Sequence, residues 1–394
     1  MSEWSALAAA LAEELTAAGK LRSPHWQAAL RAVPRHELVP VHYTMDPHTG
    51  AWSAANTADD LPLVYSNTAL FVLPEGRSST SMPGLMTRML ETLDIRDGHR
   101  VLEIGAGTGY NAALLCHRLG EEHVFAVDVE PELVALARQR LARLGYHPTL
   151  VAADGVHGLP EHAPYDRIVA TCAVPAVPWG WVAQIREDGL ILVDVKIGQQ
   201  AGNQVLLRRC GQRTQGQRTQ GQGAQGRFDP TYGSFMSLRR AGASTSAVPS
   251  HPTNRDGANR RTTTLELTRP WEQTAFWFFA HLVALPPGTT FSLRGEEPHR
   301  PPRNTVLHCA DGSWCEVRED PGNDGSRVVW ETGPRPLWRL IEDSHAQWRR
   351  LGRPGWERFG LTVTAERHCI WLDSPEGEHT WVRPHLDTER ALRP

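Results

Sequence analysis

Between residues 101 and 193 the chain alternates short, almost wholly apolar runs with longer stretches of helical periodicity. The first run, Val101-Leu102-Glu103-Ile104, breaks into Gly105-Ala106-Gly107-Thr108-Gly109-Tyr110 and passes at once into an amphipathic stretch over 112–119. The second, Val124-Phe125-Ala126-Val127-Asp128, ends in a carboxylate, and Pro131-Glu132-Leu133-Val134 then opens a helix with its proline suited to the first turn. Leu150-Val151-Ala152-Ala153-Asp154-Gly155, Arg167-Ile168-Val169-Ala170-Thr171 and Leu190-Ile191-Leu192-Val193 supply a third, fourth and fifth strand. Runs so uniformly rich in Val, Ile and Leu, separated by helices, predict an α/β fold with a parallel sheet covered on both faces.

The flanks read differently. Residues 4–18 form an amphipathic helix, and 85–93 another apolar-periodic one. Residues 211–226 are a degenerate Gly-Gln-Arg-Thr-Gln repeat with one alanine as its only apolar side chain, which predicts a disordered insertion. Residues 227–238 regain strand character and are expected to pair back onto the sheet, whereas 241–263, rich in Ser, Thr, Asn, Gly and Pro, read as a linker. From Thr264 the composition changes: nine of the fourteen tryptophans fall between Trp271 and Trp381, so this part has a core of its own. Helices over 271–285 and 336–351, with strands at 305–307, 313–317, 327–330 and 368–372, predict an α+β accessory domain. The expected organisation is an N-terminal helical and substrate-loop segment (1–95), the α/β domain (96–240), the linker (241–263) and the accessory domain (264–394).

Charge and cysteines narrow the function classes. A net charge of −3, with no basic stripe, makes nucleic acid a poor partner. The apolar patch at 275–279 is too short to span a membrane. His308, Cys309 and Cys315 lack a second close Cys or His pair, so no metal is expected. The N-terminus has neither a basic start nor a cleavage site, and the six cysteines follow no pattern; both features predict a reducing cytoplasm. No feature of the sequence sets an oligomeric state.

Three glycines spaced G-x-G-x-G after a strand and before a helix let a nucleotide-like ligand approach bare backbone. The dinucleotide fingerprint is G-x-G-x-x-G, and no Lys-Ser/Thr ending marks a phosphate loop. The arrangement suits S-adenosylmethionine, which carries no phosphates. Its expected contacts are Glu103, Gly105, Ala106 and Gly107 around the turn, Asp128 at the ribose and Asp154 at the adenine, with Val129 and Gly155 also binding the cofactor. As to the methyl acceptor, Thr171-Cys172-Ala173-Val174 after the fourth strand is not the Asn/Asp-Pro-Pro-aromatic turn of amino methylation on bases. No cysteine follows a proline, as cytosine chemistry requires, and Thr171 cannot hold a catechol-type metal.

Upstream of the glycines the residues become specific. Pro34-Arg35-His36-Glu37-Leu38-Val39-Pro40, Ser79-Thr80-Ser81-Met82-Pro83, the segment from Gly105 to Ala113, and Ala163-Pro164-Tyr165-Asp166-Arg167-Ile168 together resemble the protein-L-isoaspartate O-methyltransferases, over about half the chain. The resemblance implies a Rossmann-like class I methyltransferase fold, a carboxylate acceptor and a Ser/Thr loop over the transfer site. Ser81 and Thr80 are then the catalytic candidates, and Ser79, Met82 and Thr171 the substrate contacts. A carboxylate is ionised at neutral pH and needs no general base, so hydroxyls that position it suffice. Ser81 as N-cap of the following helix is the alternative reading. Two residues depart from the family pattern: Asn67 stands where an acid is usual, and Met82 where a small or amide side chain is.

The long C-terminal extension resembles that of methyltransferases from gene clusters for ribosomally made, post-translationally modified peptides, among them graspetides, lasso peptides and lanthipeptides. That likeness implies methylation of an aspartate in a cross-linked precursor peptide, the ester collapsing to a succinimide (aspartimide) or isoaspartate, with the extension recognising the peptide. A housekeeping isoaspartate-repair enzyme and a non-catalytic S-adenosylmethionine-binding module are the two alternatives.

Overall fold

The computed structural model describes residues 2–46, 49–211, 223–239, 255, 257–295 and 304–384. Its backbone is a sheet of ten strands. In chain order these are β1 (Val101–Ile104), β2 (Val124–Asp128), β3 (Thr149–Ala152), β4 (Tyr165–Val174), β5 (Ile185–Gly198), β6 (Ala201–Cys210), β7 (Gly223–Phe228), β8 (Phe359–Thr364), β9 (His368–Leu372) and β10 (Thr380–Arg383). They lie side by side as β10-β9-β8-β7-β6-β5-β4-β1-β2-β3. The five strands expected from the apolar runs pair in parallel, with Ile104 opposite Val127 and Ala170. The five that follow add on antiparallel.

Both faces of the parallel half are buried, as its unbroken apolar runs require. Helices Glu3–Ala17, Pro24–Ala32, Pro83–Thr92, Tyr110–Leu119 and Pro131–Arg143 supply the apolar side chains on one face. The other face is covered by Trp181 and, beyond β5, by Phe278, Phe279 and Trp356. A small sheet of Val41–Met45, Trp52–Asn56, Leu70–Leu73 and Ser78–Thr80 carries the Ser/Thr loop, whose residues line one cavity with Gly105 and Asp128 at the ends of β1 and β2.

The second half departs from the expected division. Residues 359–383 do not stay within an accessory domain: β8 pairs with β7, Gly223 opposite Thr364 and Arg227 opposite Gly360, so the C-terminal strands complete the sheet that begins at Val101. Residues 223–226, expected within the disordered insertion, are part of β7; 212–222 lie outside the described residues. In the expected linker, 241–254 and 256 also lie outside them, while Asn259–Thr263 is a strand. It is the edge of a five-stranded antiparallel sheet with Arg327–Thr332, Trp314–Arg318, Asn304–His308 and Thr290–Arg294.

That second sheet packs on helices Thr274–Val283 and Leu337–Arg350. Helix Thr274–Val283 is in turn wedged against the β5–β6 hairpin. A Cβ on Gly198 would lie 2.4 Å from the His281 ring, and Trp277 Nε1 donates to the Gln199 carbonyl at 2.7 Å. Burial pushes His281 down to about 3, so it packs there as a neutral ring. No helix among the described residues is long and apolar enough to cross a membrane, and no group of potential metal ligands occurs among them.

Candidate active site

The site forms where β1 and β4 part, at the carboxyl ends of the parallel strands, the general place for ligands in open α/β sheets. Gly105, Gly107 and Gly109 all take positive φ (94°, 54° and 84°), which turns the chain sharply from β1 into helix Tyr110–Leu119. The space beside Gly105 is tight: a Cβ there would stand 2.9 Å from Thr171 Oγ1. Thr171 donates to the carbonyls of Gly105 (2.7 Å) and Ile104 (3.1 Å). Thr171, expected as a substrate contact, lines the cavity and braces the glycine turn with its hydroxyl.

Two carboxylates define the floor. Asp128 Oδ2 accepts from Gly107 N at 2.9 Å and Oδ1 from Glu130 N at 3.1 Å, so backbone amides orient both oxygens. Glu103 is 1% exposed; its Oε1 accepts from Asn111 Nδ2 at 2.9 Å, while Oε2 is buried with no partner. Burial pushes its carboxyl up to about 8; the Asn111 hydrogen bond opposes the shift and nearby Asp128 adds to it. Both acids line one solvent-open cavity.

Of the residues singled out in the sequence, Ser79, Thr80, Ser81, Glu103, Gly105, Ala106, Gly107, Asp128, Val129, Gly155 and Thr171 line this cavity. Asp154 does not: its Oδ1 accepts from Val156 N at 3.1 Å, capping a 3₁₀ turn that sets Gly155 into the wall. Met82 does not either; it is the residue preceding helix Pro83–Thr92, and therefore Ser81 is not that helix's N-cap. The helix start is held from across the chain, by Asn67 Oδ1 accepting from Gly84 N at 2.8 Å. That contact gives the Asn67 departure a structural use, because the first helical amides need an outside acceptor.

Three groups of residues escaped the sequence reading. Arg77 and Ser78 continue the hydroxyl wall, and Asn111 holds Glu103. Arg35 is fully buried and donates to the carbonyls of Val64 (2.7 Å), Ser66 (3.4 Å), Thr68 (3.0 Å) and Ser81 (3.2 Å), tying the N-terminal segment to both substrate loops. Finally, Phe235 to Arg239 close the cavity as a strap. The strap rides on the end of β4, where Ala173 N donates to the Met236 carbonyl at 2.8 Å and Leu238 N to the Ala173 carbonyl at 2.7 Å. Asp194, fully buried and with its carboxyl raised by that burial, accepts from Phe235 N at 2.8 Å, and Arg239 pairs with Glu130 beside Asp128. The strand-like texture of 227–238 was the one sequence signal for this strap.

The residues present fit S-adenosylmethionine. Glu103 lines the cavity with its buried Oε2 unpartnered, Asp128 keeps acceptor capacity beyond its two amides, and the glycine turn leaves backbone bare. Among the described residues no histidine or lysine lines the cavity, whose polar side chains include hydroxyls, two carboxyls, the Asn111 amide and two arginines.

Comparison with known proteins agrees with this arrangement. The family profile described as protein-L-isoaspartate(D-aspartate) O-methyltransferase (PCMT) matches residues 6–233. The protein-L-isoaspartate O-methyltransferase of Methanococcoides burtonii is 37% identical over 183 residues, covering 46% of this chain and 80% of that protein. That of Hyperthermus butylicus is 34% identical over 197 residues, covering 47% and 73%. A solved protein-L-isoaspartate O-methyltransferase structure aligns over 95% of this chain and 98% of its own, with a TM-score of 0.50 and 22% identity, a likeness of fold. The chain belongs to the protein-L-isoaspartate O-methyltransferase family, whose members are S-adenosylmethionine-dependent carboxyl O-methyltransferases.

Proposed function

We infer that the protein methylates the side-chain carboxylate of an aspartate in a ribosomally made, already cross-linked peptide, and that the ester then closes to a succinimide. The observation that carries a carboxylate acceptor is the cavity's transfer wall, with hydroxyls at Ser78, Ser79, Thr80 and Ser81 and, among the described residues, no histidine or lysine to act as base. S-adenosylmethionine, when bound, supplies an electrophilic methyl group on a cationic sulfur. Glu103, Asp128 and the glycine turn would hold it, with Val129 and Gly155 beside them. Ser81, seconded by Thr80 and Ser79, would donate a hydrogen bond to one carboxylate oxygen and leave the other free to attack. The new O–C bond forms as the C–S bond breaks, and no proton has to move. Alignment of this kind accounts for roughly 7–11 kcal/mol of a barrier. In the methyl ester, the next backbone nitrogen attacks the carbonyl and methanol leaves.

The choice of a tailored peptide rests on the resemblance of the C-terminal extension, residues 264–394, to that of methyltransferases that modify ribosomally made peptides. Repair of isoaspartyl damage is the second reading, favoured by a fold likeness to a solved enzyme of that name across nearly the whole chain. Mass spectrometry with S-adenosylmethionine and two substrates tests both. A gain of methyl followed by loss of methanol on a cross-linked precursor, with no reaction on a linear isoaspartyl peptide, supports tailoring. Reaction of the linear peptide alone establishes repair, and S-adenosylhomocysteine formed from neither leaves a binding module.

A further inference from the structure

We propose that Arg77 selects the substrate, by pairing with a second carboxylate on the peptide one residue away from the carboxylate that receives the methyl group. This deepens the reading above and rests on its peptide acceptor. Two arginines line the cavity. Arg239 is engaged with Glu130. Arg77 is half-buried, and among the described residues its guanidinium has neither an ion pair nor a hydrogen bond. A half-buried cation in the wall of a binding cavity, with no acid of its own, is complementary to an anionic group brought by the ligand, and arginine's planar fork matches a carboxylate in two-point contact.

Position decides which carboxylate. Arg77 directly precedes the strand Ser78–Thr80, which leads to Ser81. At roughly 3.3 Å per residue, that strand separates the two backbone positions by about 10 Å or more. The guanidinium therefore meets a group beside the reacting one, and Ser81 keeps the acceptor to itself. The surroundings suit a peptide there. Ser79 lies opposite Phe71 in the sheet register, so both project from one face, and Phe71 is 40% exposed with Trp52 packed edge-on at 5.2 Å. An aromatic surface therefore continues from the hydroxyl wall past Arg77.

The test uses full-length enzyme saturated with S-adenosylhomocysteine and fluorescent, C-terminally amidated peptides. These share one acceptor aspartate and differ only in carrying Asp, Asn or Lys as the adjacent residue. Anisotropy is expected to show the Asp peptide bound at least tenfold more tightly than the Asn peptide. Arg77→Gln should bring that ratio to about one, Arg77→Lys should keep part of it, and Arg77→Glu should reverse it in favour of the Lys peptide. Equal affinities in the wild type, or a preference that survives Arg77→Gln, would overturn the assignment. Methyl transfer is read separately: a charge preference without any S-adenosylhomocysteine formation from S-adenosylmethionine would remove the enzymatic reading and leave Arg77 in place.

Discussion

At the scale of single residues, the site separates holding the cofactor from holding the acceptor. Asp128 spends an acceptor position on each of two backbone amides, so its loss removes charge-assisted bonds of about 1.5–3 kcal/mol each. Asp128→Ala should raise the dissociation constant for S-adenosylmethionine by at least tenfold, read by calorimetry. Ser81→Ala should lower kcat with that constant nearly unchanged; a large loss of cofactor affinity instead would move Ser81 to the cofactor side. Glu103 carries a pH signature. Its carboxyl, ordinarily near 4.5, holds its proton to about 8 when folded. The folded state therefore binds more protons than the unfolded one between those values, and stability falls as pH rises through that window. The ligand-free protein should lose thermal stability from pH 5 to 8 more steeply than Glu103→Gln, and equal slopes would contradict a proton retained there.

At the scale of elements, the Ser/Thr loop and the strap are held by groups far away in sequence. Arg35 alone supplies donors to Val64, Ser66, Thr68 and Ser81. A buried carbonyl left without its donor costs about 1–3 kcal/mol. Arg35→Met should therefore lower the midpoint of denaturant unfolding and raise KM for the peptide, with Arg35→Lys intermediate; an unchanged midpoint would show that water replaces the guanidinium. Pattern alone located the helix and strand of each βα unit because a buried parallel strand needs an unbroken apolar run. It did not locate the strap, whose side chains follow no period and whose shape comes from Asp194 and the end of β4.

At the scale of the molecule, the C-terminal region belongs to the catalytic sheet. Strand β8 covers the edge of β7, and Phe228 packs against Phe278 (5.2 Å) and Trp356 (5.6 Å), both from beyond residue 264. Removing 264–394 would bare that strand edge and those rings, and exposed edges of this kind aggregate. The fragment 1–263 should melt well below the intact chain or run as an aggregate on size exclusion. A monomer with an unchanged Tm would show that the two halves fold apart. Truncation consequently cannot serve to distinguish repair from tailoring, because it would abolish either activity through the fold.

The parallel half of the sheet, the glycine turn, the two acids on its floor and the hydroxyl loop can be read from the order of residues, because each depends on neighbours a few residues away. The apolar period, a strand-end carboxylate and a backbone needing positive φ are local matters, legible where they stand. Folding in three dimensions is what gives β7 a partner more than a hundred residues on, sets Asp154 and Met82 off the cavity while Arg77 and residues 235–239 line it, ties its loops through Arg35 and makes Thr171 brace the glycine turn. Those assignments depend on which distant groups meet, and a hydrogen-bonding or charged side chain carries no mark of its partner until the chain has folded.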